Sequence, residues 1–340
     1  MTAPWKLWYV APVPDGRMTA FAARLGLLRH PDFPGRPGPV VRDVRDASEL
    51  LRHLGYADQE HSVVISLDAD DRLLAIHEPG IGSAVMVMSD ARDIVKVPLL
   101  VGARSIYFAH NHPSGLPRPS EADLDMNRYV NRLALGLGIE LRAAIVVGRS
   151  GRFTYDEEFA PPRLQRNPGR PRERARMGRQ FGSAEQYACR TVIVRSRSYD
   201  VDSAPQVTSS LDAAALLEEH VHDHNIVMIG MDAHDRVVAV HEAEDTPDAF
   251  RQLAEVALAS VSLTCIVAQR LHDGASDDDR ILQMSDAMML VGVRLLDYVF
   301  CTPDGQHVSA LATEHLDATD MHYRLPIDEQ RGETAVYEVA

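Results

Sequence analysis

Residues 110–123 read His-Asn-His-Pro-Ser-Gly-Leu-Pro-Arg-Pro-Ser-Glu-Ala-Asp. The run before them, "ARSIYFA" at 103–109, has the apolar content of a buried strand. With a side-chain period of two, His110 and His112 project from one face at its end, while Asn111 points away. Pro113 cannot donate to a sheet ladder, so the strand stops there and the chain enters the loop "PSGLPRP". Residues 120–138 then read as an amphipathic helix, with Ser120 at the N-cap and Asp123 one turn in. Taken alone, Ser120 and Asp123 make a capping box, and a His-x-His pair can be purely structural. Together, two neutral imidazoles and a carboxylate are a ligand set for a catalytic zinc, with the fourth position left to water.

The elements that hold this stretch occur twice. "LDADDRLLAIHE" at 67–78 returns as "MDAHDRVVAVHE" at 231–242, at a constant offset of 164 residues. Upstream, "DASELLRHLGYADQEHSVVIS" lies over "LDAAALLEEHVHDHNIVMIG"; downstream, "SIYFAHNHPSG" lies over "TCIVAQRLHDG", and "GIELRAAIVVG" over "GVRLLDYVFCT". Each unit reads helix, hairpin, helix, strand, polar loop, helix, strand, which predicts an α/β domain. The fold class expected is α/β, two tandem domains, each a mixed sheet flanked by helices. The organisation expected is an N-terminal segment 1–43, a first domain 44–159, an Arg/Pro-rich linker 160–184, a second domain 185–310 and an acidic tail 311–340.

A length of 340 residues with 45% apolar content also favours two cores over one. No apolar run approaches the roughly 18 residues that span a bilayer, and the start "MTAPWKLWYVAPVPDG" lacks the pattern of a signal peptide, so the expectation is a soluble cytoplasmic protein with no membrane partner. Cys189, Cys265 and Cys301 show no paired spacing, which leaves nitrogen and oxygen as the ligands of any metal. The net charge of −14 argues against a generally basic nucleic-acid surface. Residues 160–182 are the exception, with seven arginines against the single Glu173.

The stretch "HNHPSGLPRPSEAD" resembles the JAMM (MPN+, JAB) metallopeptidase motif, specifically its RadC-like branch. The likeness extends from about residue 44 to 159 and includes "GSAVMVMSDARDIVKVPL" and "GIELRAAIVVGRSGRFTY". It implies a JAB/MPN-like, cytidine-deaminase-like fold in which His110, His112 and Asp123 bind Zn2+ and Ser120 assists the tetrahedral intermediate. It also implies a glutamate base at the helix-to-strand junction, where "DQEHSVVISLD" offers Glu60. Glu78 is the rival, but it recurs as Glu242 in the second copy, which suggests a structural role. The activity implied is zinc-dependent hydrolysis of a peptide bond, or of an isopeptide bond to a ubiquitin-like protein. A nucleobase deaminase would need a Pro-Cys-x-x-Cys pair that the chain lacks, and a two-His-one-carboxylate iron oxygenase would leave Ser120 and Glu60 unexplained.

In the second copy Gln269 stands at His110, Leu271 at His112 and His224 at Glu60, and only Ser276–Asp279 echoes the Ser-x-x-Asp end. This half is expected to bind no metal and to pack on the first, within the chain or in a homodimer, helping to bind the substrate or to order the loop 113–119. The alternative to the hydrolase is a nucleic-acid-associated protein: RadC-like proteins carry a DNA-repair label, and "NPGRPRERAR" resembles a minor-groove-binding AT-hook.

Overall fold

The computed structural model describes residues 6–8, 23–81, 91–149, 152–156, 184–195, 204–208, 210–218, 220–270, 278–302 and 307–309. Residues 160–183 of the arginine-rich stretch, Leu271, Ser276 and the tail 311–340 lie outside the described residues.

Two short strands come first, β1 (Lys6–Trp8) and β2 (Ala23–Arg29). The first half continues with α1 (Val44–Leu50), a 3-10 turn (Arg52–Tyr56), β3 (His61–Leu67), β4 (Leu73–Ile81), α2 (Ala91–Leu100), β5 (Ser105–Asn111), α3 (Glu121–Gly136), β6 (Glu140–Val147) and β7 (Phe153–Tyr155). The second half repeats this order: β8 (Cys189–Arg195), α4 (Ser210–Glu218), β9 (Asn225–Met231), β10 (Val237–Glu244), α5 (Ala249–Ala259), β11 (Thr264–Arg270), α6 (Asp278–Leu290), β12 (Arg294–Cys301) and β13 (His307–Ser309). The two five-stranded sheets have the same strand order, β4-β3-β5-β6-β7 and β10-β9-β11-β12-β13.

In each sheet one pair is parallel, β5 with β6 and β11 with β12. A parallel neighbour needs a crossover, which α3 and α6 supply. Covered on both faces, β5 is buried along its whole length. Ile106 and Phe108 enter one core cluster, and Tyr107 and Ala109 enter another on the opposite face. Burying side chains of this size stabilises by about 1.5–3 kcal/mol each, so the strand that ends in His110 and His112 is firmly seated.

The halves share a core. One cluster runs from Ile106, Phe108, Val130 and Leu137 of the first half to Leu253, Val267, Met284 and Tyr298 of the second. Helices α2 and α3 pack on α5 and α6 to form this middle layer, and each sheet has a further core on its outer face. Arg251 of α5, buried, donates across the boundary to the carbonyls of Ala103 (2.6 Å) and Gly138 (3.4 Å), just past the C-terminal ends of α2 and α3. There the guanidinium meets the negative ends of both helix dipoles.

The third sheet, β1-β2-β8, joins the halves along their strands. The segment 1–43, taken from sequence as a separate piece, supplies β2, which pairs antiparallel with β8, Gly26 opposite Val192. The two strands hold equivalent places. Each precedes the same feature in its half, a bridge between Val40 and Arg72 or between Gln206 and Arg236. The repeat therefore reaches further toward the N-terminus than the matching sequence segments do.

Candidate metal centre

Four side chains from three elements converge at the end of β5. The ligand atoms of Glu60, His110, His112 and Asp123 all lie within 4.8 Å of one another, the one such group of His, Cys, Asp and Glu among the described residues. His110 and His112 share a face of β5, with their Nε2 atoms 3.2 Å apart. Asp123 completes the triangle, Oδ1 at 3.2 Å from His110 Nε2 and Oδ2 at 3.3 Å from His112 Nε2.

This spacing fits a zinc ion. Nitrogen and oxygen ligands at about 2.0–2.1 Å in a tetrahedron stand roughly 3.3 Å apart, close to the separation of each pair, with the two imidazoles facing different oxygens of Asp123. Asp123 lies within hydrogen-bond reach of both imidazoles. The His112 imidazole is accordingly pushed up, chiefly by its hydrogen bond to Asp123. Burial acts to raise the Asp123 carboxyl, but hydrogen bonds from His110, His112 and the Ser120 amide outweigh it and hold the group well below the usual carboxylate range.

Local sequence explains the placement. Ser120 is the N-cap of α3 and forms a full capping box with Asp123. The Ser120 amide and hydroxyl donate to Asp123 Oδ2 at 2.6 and 2.7 Å, so the cap itself orients the carboxylate. The structural and the ligand-like readings of Ser-x-x-Asp are thus two aspects of one arrangement. His112 Nδ1 bonds the carbonyl of Leu116 at 3.1 Å, which directs Nε2 into the cluster. The loop carrying Leu116 is held by the first half's own turn after β6. The Arg149 amide donates to the Gly115 carbonyl at 3.1 Å, and Pro117 lies on Gly148, where a Cβ would come within 2.8 Å of Pro117 Cδ. The loop thus folds back over the end of its own sheet.

Glu60 sits just before β3, buried with His110, and burial holds its carboxyl above the usual range against the lowering influence of the two histidines. Glu78, the rival in sequence, instead lies against the His61 imidazole, Oε1 to Nδ1. In the second half Glu242, its counterpart, lies 3.0 Å from His220, a residue ahead of β9, so each glutamate faces a histidine.

At the matching place in the second half the Tyr298 hydroxyl donates to Gln269 Oε1 at 2.6 Å. Among the described residues this half shows no metal-ligand group. Sequence reasoning missed Asn111, whose amide contacts the chain on both sides of Glu60, and Arg251; for Asn111, the direction given by the strand period was the available signal.

Residues 41–159 match the family described as RadC-like JAB domain. Residues 41–159 are a RadC-like JAB domain. Among curated proteins, the JAB domain is similar to a UPF0758 protein of Moorella thermoacetica, 36% identical over 120 residues, which are 35% of this chain and 52% of the relative. It is also similar to a UPF0758 protein of Streptococcus agalactiae, 33% identical over 123 residues, 36% of this chain and 54% of the relative. The chain spans about half the length of the curated relatives it matches. Outside the RadC-like JAB domain, the second half repeats its strand order. No helix among the described residues is long and apolar enough to cross a membrane.

Proposed function

We propose that the chain is a zinc-dependent amide hydrolase of the JAMM type, acting on a peptide or on an isopeptide bond to a ubiquitin-like protein. The observation that carries this is the triangle of His110, His112 and Asp123 with the buried Glu60 beside it. His110, His112 and Asp123 would hold the ion. A zinc ion there supplies Lewis acidity, polarising a carbonyl and bringing the acidity of water close to neutral pH.

The rest of the work belongs to the protein. Glu60, kept from solvent and raised in pKa, is suited to accept a proton from water and to return it to the leaving amine. Ser120 spends its hydroxyl proton on Asp123 in this structure. The side chain is exposed, so the same donor can turn toward a developing oxyanion, a contact worth about 3 kcal/mol in other hydrolases. Asp123, kept ionised by its hydrogen bonds, remains a ligand across the working pH range. The second half is read as a JAB-like domain without ligands that serves as a scaffold for the first.

The test is a panel of fluorogenic peptides and ubiquitin-like isopeptides with zinc-loaded protein. Cleavage that disappears on chelation and returns with zinc supports the reading; zinc-replete protein that cleaves none of them removes it.

A further inference from the structure

Asn111 lies between His110 and His112 in sequence but turns to the opposite face of β5. Its side chain is almost fully buried and spans a short piece of chain ahead of β3. Nδ2 donates to the carbonyl of Gln59 at 2.9 Å, and Oδ1 accepts from the amide of His61 at 2.8 Å. The residue between those two backbone groups is Glu60.

The ladder between β3 and β5 ends at the pair Ser62 and His110. Beyond that pair, the Asn111 amide takes over from the backbone as the link to β5, using one donor and one acceptor as a peptide group would. A buried amide satisfied from both ends has little rotational freedom. His110, Asn111 and His112 therefore act from one short strand end: two residues face the metal triangle, and the third grips the segment that presents Glu60 to it.

The second half offers a comparison within the same chain. Arg270 stands at the place of Asn111 and Asp223 at that of Gln59, and the two form a salt bridge at 2.9 Å. The tie between strand end and junction persists there, but through side chains, and the residue it flanks is His224. A backbone clamp occurs there too, but it brackets Val221 and not His224: the Asn225 amide donates to the His220 carbonyl at 2.9 Å and accepts from the His222 amide at 2.8 Å.

We propose that Asn111 is a positioning residue for Glu60, holding the Gln59–His61 backbone so that the Glu60 carboxylate faces the cleavable bond. This rests on the hydrolase reading, in which Glu60 is the base. Two experiments on the full-length protein test it. In metal-free protein, hydrogen exchange over residues 57–64 should rise at least tenfold at the His61 amide in Asn111→Ala, with Val64 in mid-strand unchanged; unchanged exchange at His61 overturns the proposal. In zinc-loaded protein, with the panel peptide cleaved fastest, Asn111→Ala should lower kcat about 10²-fold with KM and zinc content retained. A merely structural role would lower metal content or stability in step with activity and would overturn it. The double variant Glu60→Gln/Asn111→Ala should be no slower than Glu60→Gln, and a further additive loss would show that Asn111 acts elsewhere. Asn111→Asp keeps the acceptor for His61 and loses the donor to Gln59, so it should fall between wild type and Asn111→Ala, and it serves if the alanine variant does not fold. Because the exchange experiment needs no substrate, failure of the clamp is distinguishable from failure of the hydrolase reading.

Discussion

Leu290 of α6 lies against Gly136 of α3, its own counterpart in the other half. A Cβ built on Gly136 would come within 2.5 Å of Leu290 Cδ1. Each helix ends in the same turn, with Gly138 at φ 65° and Gly292 at φ 75°. The bonds that close the turn also match, Ile139 N–H to the Ala134 carbonyl at 2.8 Å and Val293 N–H to the Met288 carbonyl at 2.9 Å. Equivalent positions meet where an approximate two-fold axis passes between the halves, as they do again where Gly26 faces Val192.

Gly136→Ala should therefore destabilise by about 1–3 kcal/mol through overpacking, although alanine alone would favour the helix by about 1 kcal/mol. Leu290→Ala in the same chain should recover most of the loss. Denaturant unfolding of the single and double variants checks this; strictly additive losses would show that the contact is not tight.

Metal stoichiometry should be one zinc per chain, measured by mass spectrometry of the elements. His110→Ala/His112→Ala should abolish it without unfolding the protein, because the strand is anchored by Tyr107, Phe108 and Ala109, which the change leaves in place. Two ions per chain would require a second site, and among the described residues no other group of His, Cys, Asp and Glu is placed to hold an ion.

Glu60→Gln should retain zinc and lower kcat by about 10²–10⁴-fold, since an amide cannot accept the water's proton. Glu78→Gln removes only the partner of His61, at a partly exposed pair, and should change the rate less than tenfold, as small surface pairs usually do. A reversal of these two effects would move the base to Glu78.

Acid should destabilise the fold through His77. Burial lowers its pKa from the usual 6.5 to about 4, despite the Asp93 carbonyl 3.1 Å from Nε2. Between those values the unfolded chain binds a proton that the folded chain refuses. The stability is thus complete above pH 6.5 and is lost as pH falls toward 4, by about 3 kcal/mol in all. His77→Gln should flatten that part of the stability curve, read from urea midpoints at pH 7, 5.5 and 4.5.

Arg251→Met should cost about 2–4 kcal/mol, because the carbonyls of Ala103 and Gly138 lose a charged donor inside the shared layer. Unfolding followed by probes in each half should show the two transitions separating.

Much of the cluster of His110, His112 and Asp123 was legible in spacing. A strand period puts His110 and His112 on one side, and an N-cap pattern returns Asp123 to the same end, because both are local rules acting within fourteen residues. Glu60 obeys no such rule. It arrives from a different element, and only likeness to a family pointed to it. Asn111 shows the limit of a local reading: the period gives its direction, away from the histidines, but not that the chain around Glu60 waits on that side. The union of the halves was less legible still. Arg251 and Gly136 matter through what lies across the boundary, and neither residue's own helix announces it. The pairing of β2 with β8 joins segments whose sequences, "ARLGLLR" and "CRTVIVR", share little beyond the arginines.

That pairing also changes what substitution can do. In a dimer of identical chains, every residue at a two-fold interface appears twice, so any change is imposed on both sides at once. Here the two partners are covalently one molecule, each present once and always with the other. Gln269 can replace a histidine on one side while His110 stays on the other, and Leu290 can fill the space that Gly136 leaves. One fold can thus keep its symmetric frame while its two ends diverge in chemistry.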